Sequence, residues 1–488
     1  MTSIPFMTAT ELTASMRDGT LSAREVLAAH IERIEHINPI INALVALDLD
    51  KAMDQAILLD KQWNKNTPKG PLYGLPTAHK DILPTKGIRT TRGSTIFAND
   101  IPTTDHIVVE RMKNAGAITI GKTNVPELGL GSHTFNDVYG LTRNPYNPTR
   151  SAGGSSGGAA AALAARLVPI ADGSDTGGSL RNPASFCNVV GLRPTPGRVP
   201  SWPETAAWGR LSVKGPMART VDDAGLLLSV LAGPDPRSPM ALDTPGHSFQ
   251  GPYIAKLPGS RIAWSPDLNG TVPVESDVIA ALAPTLDAFT NLGCTLAEAA
   301  PDLEGAARTF ETLRAWQLEN ALGGLLDQHR DQLKPDAVWN IEQGRDLTGK
   351  DIGQAEIMQT RIHHRMREFF ERYDFLITPV SQVVPFDAEI TYPTEVNGQA
   401  MDNYLEWMRL PSIISVTGCP AISIPAAFTP SGLPVGLQII APPRAEKELL
   451  QVAHAFEQAN RAGTLLPREI GLGPELTKVG ALGLRYDI

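Results

Sequence analysis

Two serines in glycine-rich turns lie 24 residues apart: Ser155 in GGSSGG (153–158) and Ser179 in GSDTGGS (173–179). A serine hydroxyl is a weak nucleophile. To attack a carbonyl it needs a base for its proton and donors for the oxyanion that forms. Glycine lets the backbone turn sharply and approach a ligand with its amide hydrogens free. Successive amides at Thr176, Gly177, Gly178 and Ser179 would form such an anion-binding nest beside the Ser179 hydroxyl. Lys80, in LPTAHKD (75–81), ends a short apolar strand, at an edge where catalytic groups gather in α/β sheets.

Two chemistries compete for these residues. GGSSG (153–157) satisfies G-x-S-x-G, the nucleophile elbow of α/β-hydrolases, with Ser155 as nucleophile. That elbow needs an apolar strand immediately upstream, where this chain has LTRNPYNPTRSA (141–152). It also needs a late histidine in a loop. Of the later histidines, His247, His329, His363, His364 and His454, the last three fall in helical patterns, and none has that setting. The second chemistry uses a lysine base and a serine relay. Ser179 follows an expected strand, Leu167–Ala171, and a turn, Asp172–Gly178. Ser155 opens the turn into an expected helix, Gly157–Arg166.

The elements that must hold these groups are legible in outline. At 488 residues, a prior of roughly 100–200 residues per domain allows about three domains or one large α/β sheet. No repeat or low-complexity linker divides the chain, so a single domain over 1–488 is expected. Residues 8–63 read as helices, with a Ser22–Glu25 capping-box pattern and Ile31, Ile34 and Ile37 at helical spacing. A helix–strand–turn rhythm follows Pro71 and predicts parallel strands with crossover helices. Residues 275–373 read as a mostly helical smaller region, in which Met358, Ile362, Met366, Phe369, Phe370 and Tyr373 form one apolar face. Strands are expected at Phe375–Val380, Ala421–Ala426 and Val435–Ile440. GAITIGKT (116–123) spells a phosphate-binding loop. There, however, ITI is itself the strand, and Asn124-Val125-Pro126 stands where a helix should begin, so a nucleotide site is rejected.

Composition excludes several classes of function. The formal charge is −9 with no basic block, which argues against nucleic-acid or anionic-membrane partners. The three cysteines are too scattered for a disulfide framework or a zinc site. No basic n-region with an apolar run opens the chain, and the longest small-apolar run, Ala159–Ala171, is broken by Arg166 and Pro169. A cytoplasmic protein is expected.

Lys80 in LPTAHKD, Ser155 in GGSSGG, Ser179 in GSDTGGSLRNPAS and the following VVGLRPTPGRV together resemble the amidase signature family. The resemblance continues through VTGCPAISIPAAF and GLPVGLQII, covering nearly the whole chain. It implies an α/β fold with a large mixed, mostly parallel central sheet covered by helices on both faces. It also implies a Ser–Ser–Lys amidohydrolase of small-molecule carboxylic amides, aliphatic or aryl, and leaves esters and carbamates open. By that likeness Ser179 becomes the acyl-enzyme and Ser155, on a cis peptide, relays its proton to a neutral Lys80. The amides of Thr176 to Ser179 hold the oxyanion. Gly129 and Gly131, in LGLGSHTF (128–135), line the acyl pocket. Asp175 and Arg181 are expected to hold the loop, and Ser156 to support by hydrogen bonding. No cofactor or metal is implied, and monomer and homodimer both stay open.

The chain departs from the family pattern at His79, Leu180 and Asn188. None of the three removes chemistry. An alternative within the family is the glutaminase subunit of tRNA-dependent amidotransferases, in which an acidic residue and an asparagine help recognise glutamine. Met408 and Ser415 stand at those places, and an apolar surface cannot satisfy glutamine's ammonium. Trp407 and Met408, with Trp202 and Trp208, hint instead at a broad apolar substrate, although a tryptophan alone is more often core.

Overall fold

The structure is a computed structural model that describes residues 3–64, 66 and 69–468; the last 20 residues of the expected domain, 469–488, lie outside the described residues. Helices α1 (Ala9–Asp18) and α2 (Ala23–Ile41), strand β1 (Leu44–Val45) and helix α3 (Leu49–Lys61) fill the expected N-terminal span. Both of the first two helices start on capping boxes. The Glu11 amide donates to Thr8 Oγ1 at 3.1 Å and the Thr8 amide to the Glu11 carboxylate at 2.8 Å, and Ser22 and Glu25 repeat the exchange.

Then come β2 (Pro76–Lys80), α4 (Ile107–Asn114) and β3 (Ile118–Thr123). Strands β2 and β3 pair in parallel, and β1 joins β3 antiparallel, making a three-stranded sheet. A hairpin of β4 (Arg143–Asn144) and β5 (Asn147–Ser151) leads to α5 (Gly157–Ala164), β6 (Ile170–Asp175), α6 (Arg181–Phe186), β7 (Val190–Arg193) and β8 (Val213–Ala218). Helix α7 (Val221–Leu231) and β9 (Arg261–Trp264) follow. The 275–373 region holds α8 (Ser276–Leu282), α9 (Asp287–Asn291), α10 (Ala306–His329), α11 (Pro335–Arg345) and α12 (Gly349–Arg372), interrupted by one strand, β10 (Thr295–Glu298). The chain closes with β11 (Phe375–Pro379), the hairpin β12 (Glu395–Val396) and β13 (Gln399–Ala400), α13 (Arg409–Val416), β14 (Ala421–Phe428), β15 (Pro434–Ile440) and α14 (Glu446–Ala459).

The central sheet has eight strands in the order β10-β9-β11-β15-β14-β7-β8-β6. Every residue of β6, β7, β8, β11 and β15 is buried. Since successive side chains point to opposite faces, both faces of these strands are covered. The sheet is mixed, as expected, but it is not mostly parallel. Only β10–β9 and β9–β11 pair in parallel, and the other five pairs are antiparallel. Strands buried on both faces are continuous apolar runs whichever way they point, so residue pattern carries no sign of direction.

The three-stranded sheet meets the large one along its edge strand β6. Thr77 Oγ1 donates to the Ile170 carbonyl at 3.2 Å, and the Lys80 amide to Asp172 Oδ1 at 2.9 Å. This seam brings the end of β2 beside the end of β6. One hydrophobic cluster extends from Ala9 in α1 to Phe456 in α14 and includes Ile362, Met366 and Phe369 of the α12 stripe.

Candidate active site

Lys80 is fully buried at the end of β2. Its Nζ lies 2.8 Å from Ser155 Oγ, 2.8 Å from Ser156 Oγ and 2.9 Å from Ser174 Oγ. Burial pushes its pKa down to about 7, because an ammonium loses its hydration; the nearby Asp175 and Asp172 oppose that shift and Lys214 adds to it. A neutral amine keeps one lone pair and so can accept from one of the three hydroxyls. Ser156 directs its own proton to the Ser174 carbonyl at 3.4 Å and so meets Lys80 as an acceptor.

Ser155 is placed by its loop. The Gly154–Ser155 peptide is cis, as the family resemblance implies. Ser132 Oγ donates to the Gly154 carbonyl at 2.7 Å, and Thr134 Oγ1 to the Gly153 carbonyl at 2.8 Å. Asn182 Nδ2 donates to Ser132 Oγ at 2.8 Å, tying this loop to α6, just past Ser179. The Ser156 amide donates to the Ser179 carbonyl at 3.3 Å, so the two serine loops lie side by side. A Cβ on Gly129 would sit 4.0 Å from Ser155 Oγ, and one on Gly131 3.7 Å from Lys334 Nζ; both glycines have positive φ (70° and 94°).

The Ser179 loop is anchored by a charge cluster. Arg181 Nε and Nη2 donate to the two Asp175 oxygens, each at 3.0 Å, and Arg193 Nη1 donates to Asp175 Oδ1 at 3.0 Å. Burial alone would raise the Asp175 pKa, but the two guanidiniums outweigh it and hold the carboxyl well below the usual carboxylate range. Asp175 and Arg181 thus have the structural place expected of them, and Arg193, from the GLRP segment, joins them. The Gly178 amide also donates to Asp175 Oδ1, at 2.8 Å, which takes it away from any oxyanion. Among the described residues, nothing accepts from the amides of Thr176, Gly177 or Ser179. Gly177 has no room for a side chain: a Cβ there would lie 2.6 Å from Phe310 Cζ. Replacing Asp175 with asparagine leaves two buried guanidiniums short of an anion. The expected loss is about 3 kcal/mol or more of stability, read as a lower denaturant midpoint at an unchanged slope.

Several contributors were not visible in the sequence. Ser174 completes the hydroxyl ring around Lys80, and Asp172 fixes the strand end through the Lys80 amide and through His79 Nδ1 at 2.5 Å. The available signal was the period-two spacing of Asp172 and Ser174 on β6, which places them on one strand face. The GKT lysine, Lys122, donates to the Leu83 carbonyl at 2.6 Å and Thr85 Oγ1 at 2.7 Å within β3's surroundings, in keeping with the rejected phosphate site. Ser415 accepts from Arg181 Nη2 at 2.7 Å. Trp407 packs in the core between Phe186 and Phe386, Trp202 lies under the Arg237 guanidinium at 4.8 Å, and Trp208 is exposed. Of the four residues expected to offer an apolar substrate surface, Met408 reaches the nucleophile loop, its Cε 3.2 Å from where a Gly177 Cβ would stand.

The family model described as Amidase matches residues 25–450. An acylamidase of Rhodococcus erythropolis is 34% identical over 466 residues, covering 93% of this chain and 95% of that protein. A glutamyl-tRNA(Gln) amidotransferase subunit of Synechococcus sp. (strain RCC307) is 34% identical over 477 residues, covering 91% of this chain and 96% of its own. Among solved structures, a bacterial aryl acylamidase belonging to the amidase signature enzymes superposes with a TM-score of 0.86 at 28% identity, covering 93% of this chain and 96% of that one. No helix of the described residues is long and apolar enough to cross a membrane.

Proposed function

The chain belongs to the amidase family and is a hydrolase of carbon–nitrogen bonds other than peptide bonds, and from there we propose a stand-alone serine amidase working through Lys80, Ser155 and Ser179. Ser179 Oγ attacks the amide carbonyl as its proton passes to Ser155, whose own proton passes to Lys80. The negative charge that develops on the carbonyl oxygen meets the uncommitted amides of Thr176, Gly177 and Ser179. Collapse breaks the C–N bond, and Lys80 returns the proton through Ser155 to the departing amine. Water then attacks the Ser179 ester over the same relay, releasing the carboxylic acid. Gly178 serves through its backbone conformation, with φ of 118°, and Gly129 and Gly131 form the wall facing the acyl group.

The observation that carries this reading is the buried lysine ringed by three hydroxyls. Among the described residues an ammonium there would lack an ion-pair partner, so the neutral form that a base requires is the one the site favours. The alternative of a glutaminase component in a tRNA-dependent amidotransferase has the support of a relative with similar identity. Against it stand Met408, which offers no charge, and Ser415, whose hydroxyl is engaged by Arg181. The separating experiment is direct: purified protein, with no other chain added, is expected to release amine from simple anilides and aliphatic amides. Turnover only after partner chains and charged tRNA are supplied would transfer the chain to the alternative. One domain over the chain is supported by the continuous hydrophobic cluster, and a cytoplasmic setting by three buried free cysteines.

A further inference from the structure

Beside the serine loops runs a narrow pocket between the Leu130–His133 strip and the segment holding Tyr404 and Trp407. Both walls touch the reaction centre. Ser132 holds the Gly154 carbonyl, and Met408, next to Trp407, lies against Gly177. The pocket's free volume is about 10 Å³, enough for one oxygen of a terminal polar group.

Lys334, at the start of α11, sends its side chain into this pocket. Among the described residues its ammonium has one hydrogen-bond acceptor, the Leu130 carbonyl at 2.5 Å, and no ion-pair partner. An ammonium has three donors, so two have no hydrogen-bond acceptor, and besides that carbonyl it meets the Phe135 ring, 5.8 Å from the centroid, which supplies no anion. The neighbouring carboxylates do not fill that role. Glu127 spends its oxygens on Ser94 Oγ at 2.8 Å and on the Lys334 backbone amide at 2.8 Å. Asp336 lines the pocket without pairing with Lys334, and burial raises its pKa against the lysine's pull. Burial lowers Lys334 to about 8, so it stays mostly charged at neutral pH. The opposite wall is rigid: Arg314 Nη2 donates to the Tyr404 hydroxyl at 3.0 Å, which in turn donates to Asn340 Oδ1 at 2.8 Å.

We propose that Lys334 forms a subsite for a carboxylate carried by the amide substrate away from the scissile bond, making this a hydrolase of anionic amides. The inference rests on the hydrolase reading above. A carboxylate oxygen in the pocket gives the ammonium the anion it lacks, through a charge-assisted hydrogen bond. Gly131, which lines the pocket, keeps the space beside the ammonium open: a Cβ there would lie 3.7 Å from Lys334 Nζ.

The test compares each charged anilide with its neutral amide isostere: glutaranilic acid with N-phenylglutaramide, and 4-acetamidobenzoate with 4-acetamidobenzamide. In the wild-type enzyme one charged member is expected to exceed its isostere in kcat/KM by at least about tenfold, the worth of one charged hydrogen bond; the pair that responds shows whether the acyl or the amine side enters the pocket. Lys334→Met is expected to lose that ratio and Lys334→Arg to retain most of it. No preference in either pair, or a preference that survives Lys334→Met, overturns the proposal. Turnover of N-phenylglutaramide reports separately on the hydrolase reading. If no anilide is turned over, that reading fails and the subsite is judged by glutarate alone: glutarate should raise the Tm of the wild type and not of Lys334→Met, and any other pattern overturns it.

Discussion

Ser179→Ala is expected to reduce amide turnover by about 10⁴-fold or more, to the level that the remaining binding and oxyanion contacts sustain. Geometry alone does not make this the obvious choice, since Lys80 sits 2.8 Å from Ser155 and could deprotonate it directly. The distinction lies in what surrounds each hydroxyl. Around Ser155 much of the backbone is engaged: the amides of Gly153, Ser156 and Gly157 donate to Ser151 Oγ, the Ser179 carbonyl and Thr134 Oγ1. Around Ser179 the amides of Thr176, Gly177 and its own residue are uncommitted. An attacked carbonyl needs donors where its charge develops, and the second loop offers the amide of the serine itself together with those of Thr176 and Gly177. A fluorophosphonate probe should therefore add its mass to the peptide containing Ser179. An adduct on Ser155 would reverse the assignment and restore the elbow chemistry. Ser155→Ala should retain slow labelling at Ser179, because the nucleophile remains while its path to the base is cut.

The second large effect is on Lys80. Its folded pKa of about 7 means that kcat/KM should rise with pH through a single ionisation near 7 and then level off. The sign follows from the role: the base works as the free amine, so each pH unit below the ionisation removes about tenfold of the active form. Lys80→Met should abolish the ionisation and lower kcat/KM by about 10³-fold, in the range of a lost general base. A profile flat from acid to base, with acylation limiting, would contradict the assignment. Burial is the main source of the shift, so substitutions that admit water at β2 should move the ionisation upward. Lys214 pushes in the same direction as burial, and Asp172 and Asp175 push against it. Lys214 is opposite Ser174 in the β6–β8 register, so it approaches the site from the neighbouring strand.

Residue type and local spacing were enough to single out Lys80, Ser155 and Ser179, and the structure brings Lys80 within 2.8 Å of Ser155 and sets the two serine loops side by side. A hydroxyl in a glycine turn, a strand end and a helix start are local facts, written within about ten residues. The same holds for the capping boxes of α1 and α2 and the apolar stripe of α12. Tertiary structure decided what depends on partners far away in the chain. The hydroxyl ring around Lys80 joins residues 75, 76 and 94 positions apart, and Arg181 reaches Gln438 across 257. No spacing rule encodes such contacts, because they follow from how the strands are ordered. Strand direction was lost for the same reason, since an apolar run buried on both faces is the same in either orientation. The Gly178 amide shows the limit most closely. The sequence offers four successive amides to an oxyanion, but the side chain of Asp175, held by Arg181 and Arg193, claims the third of them.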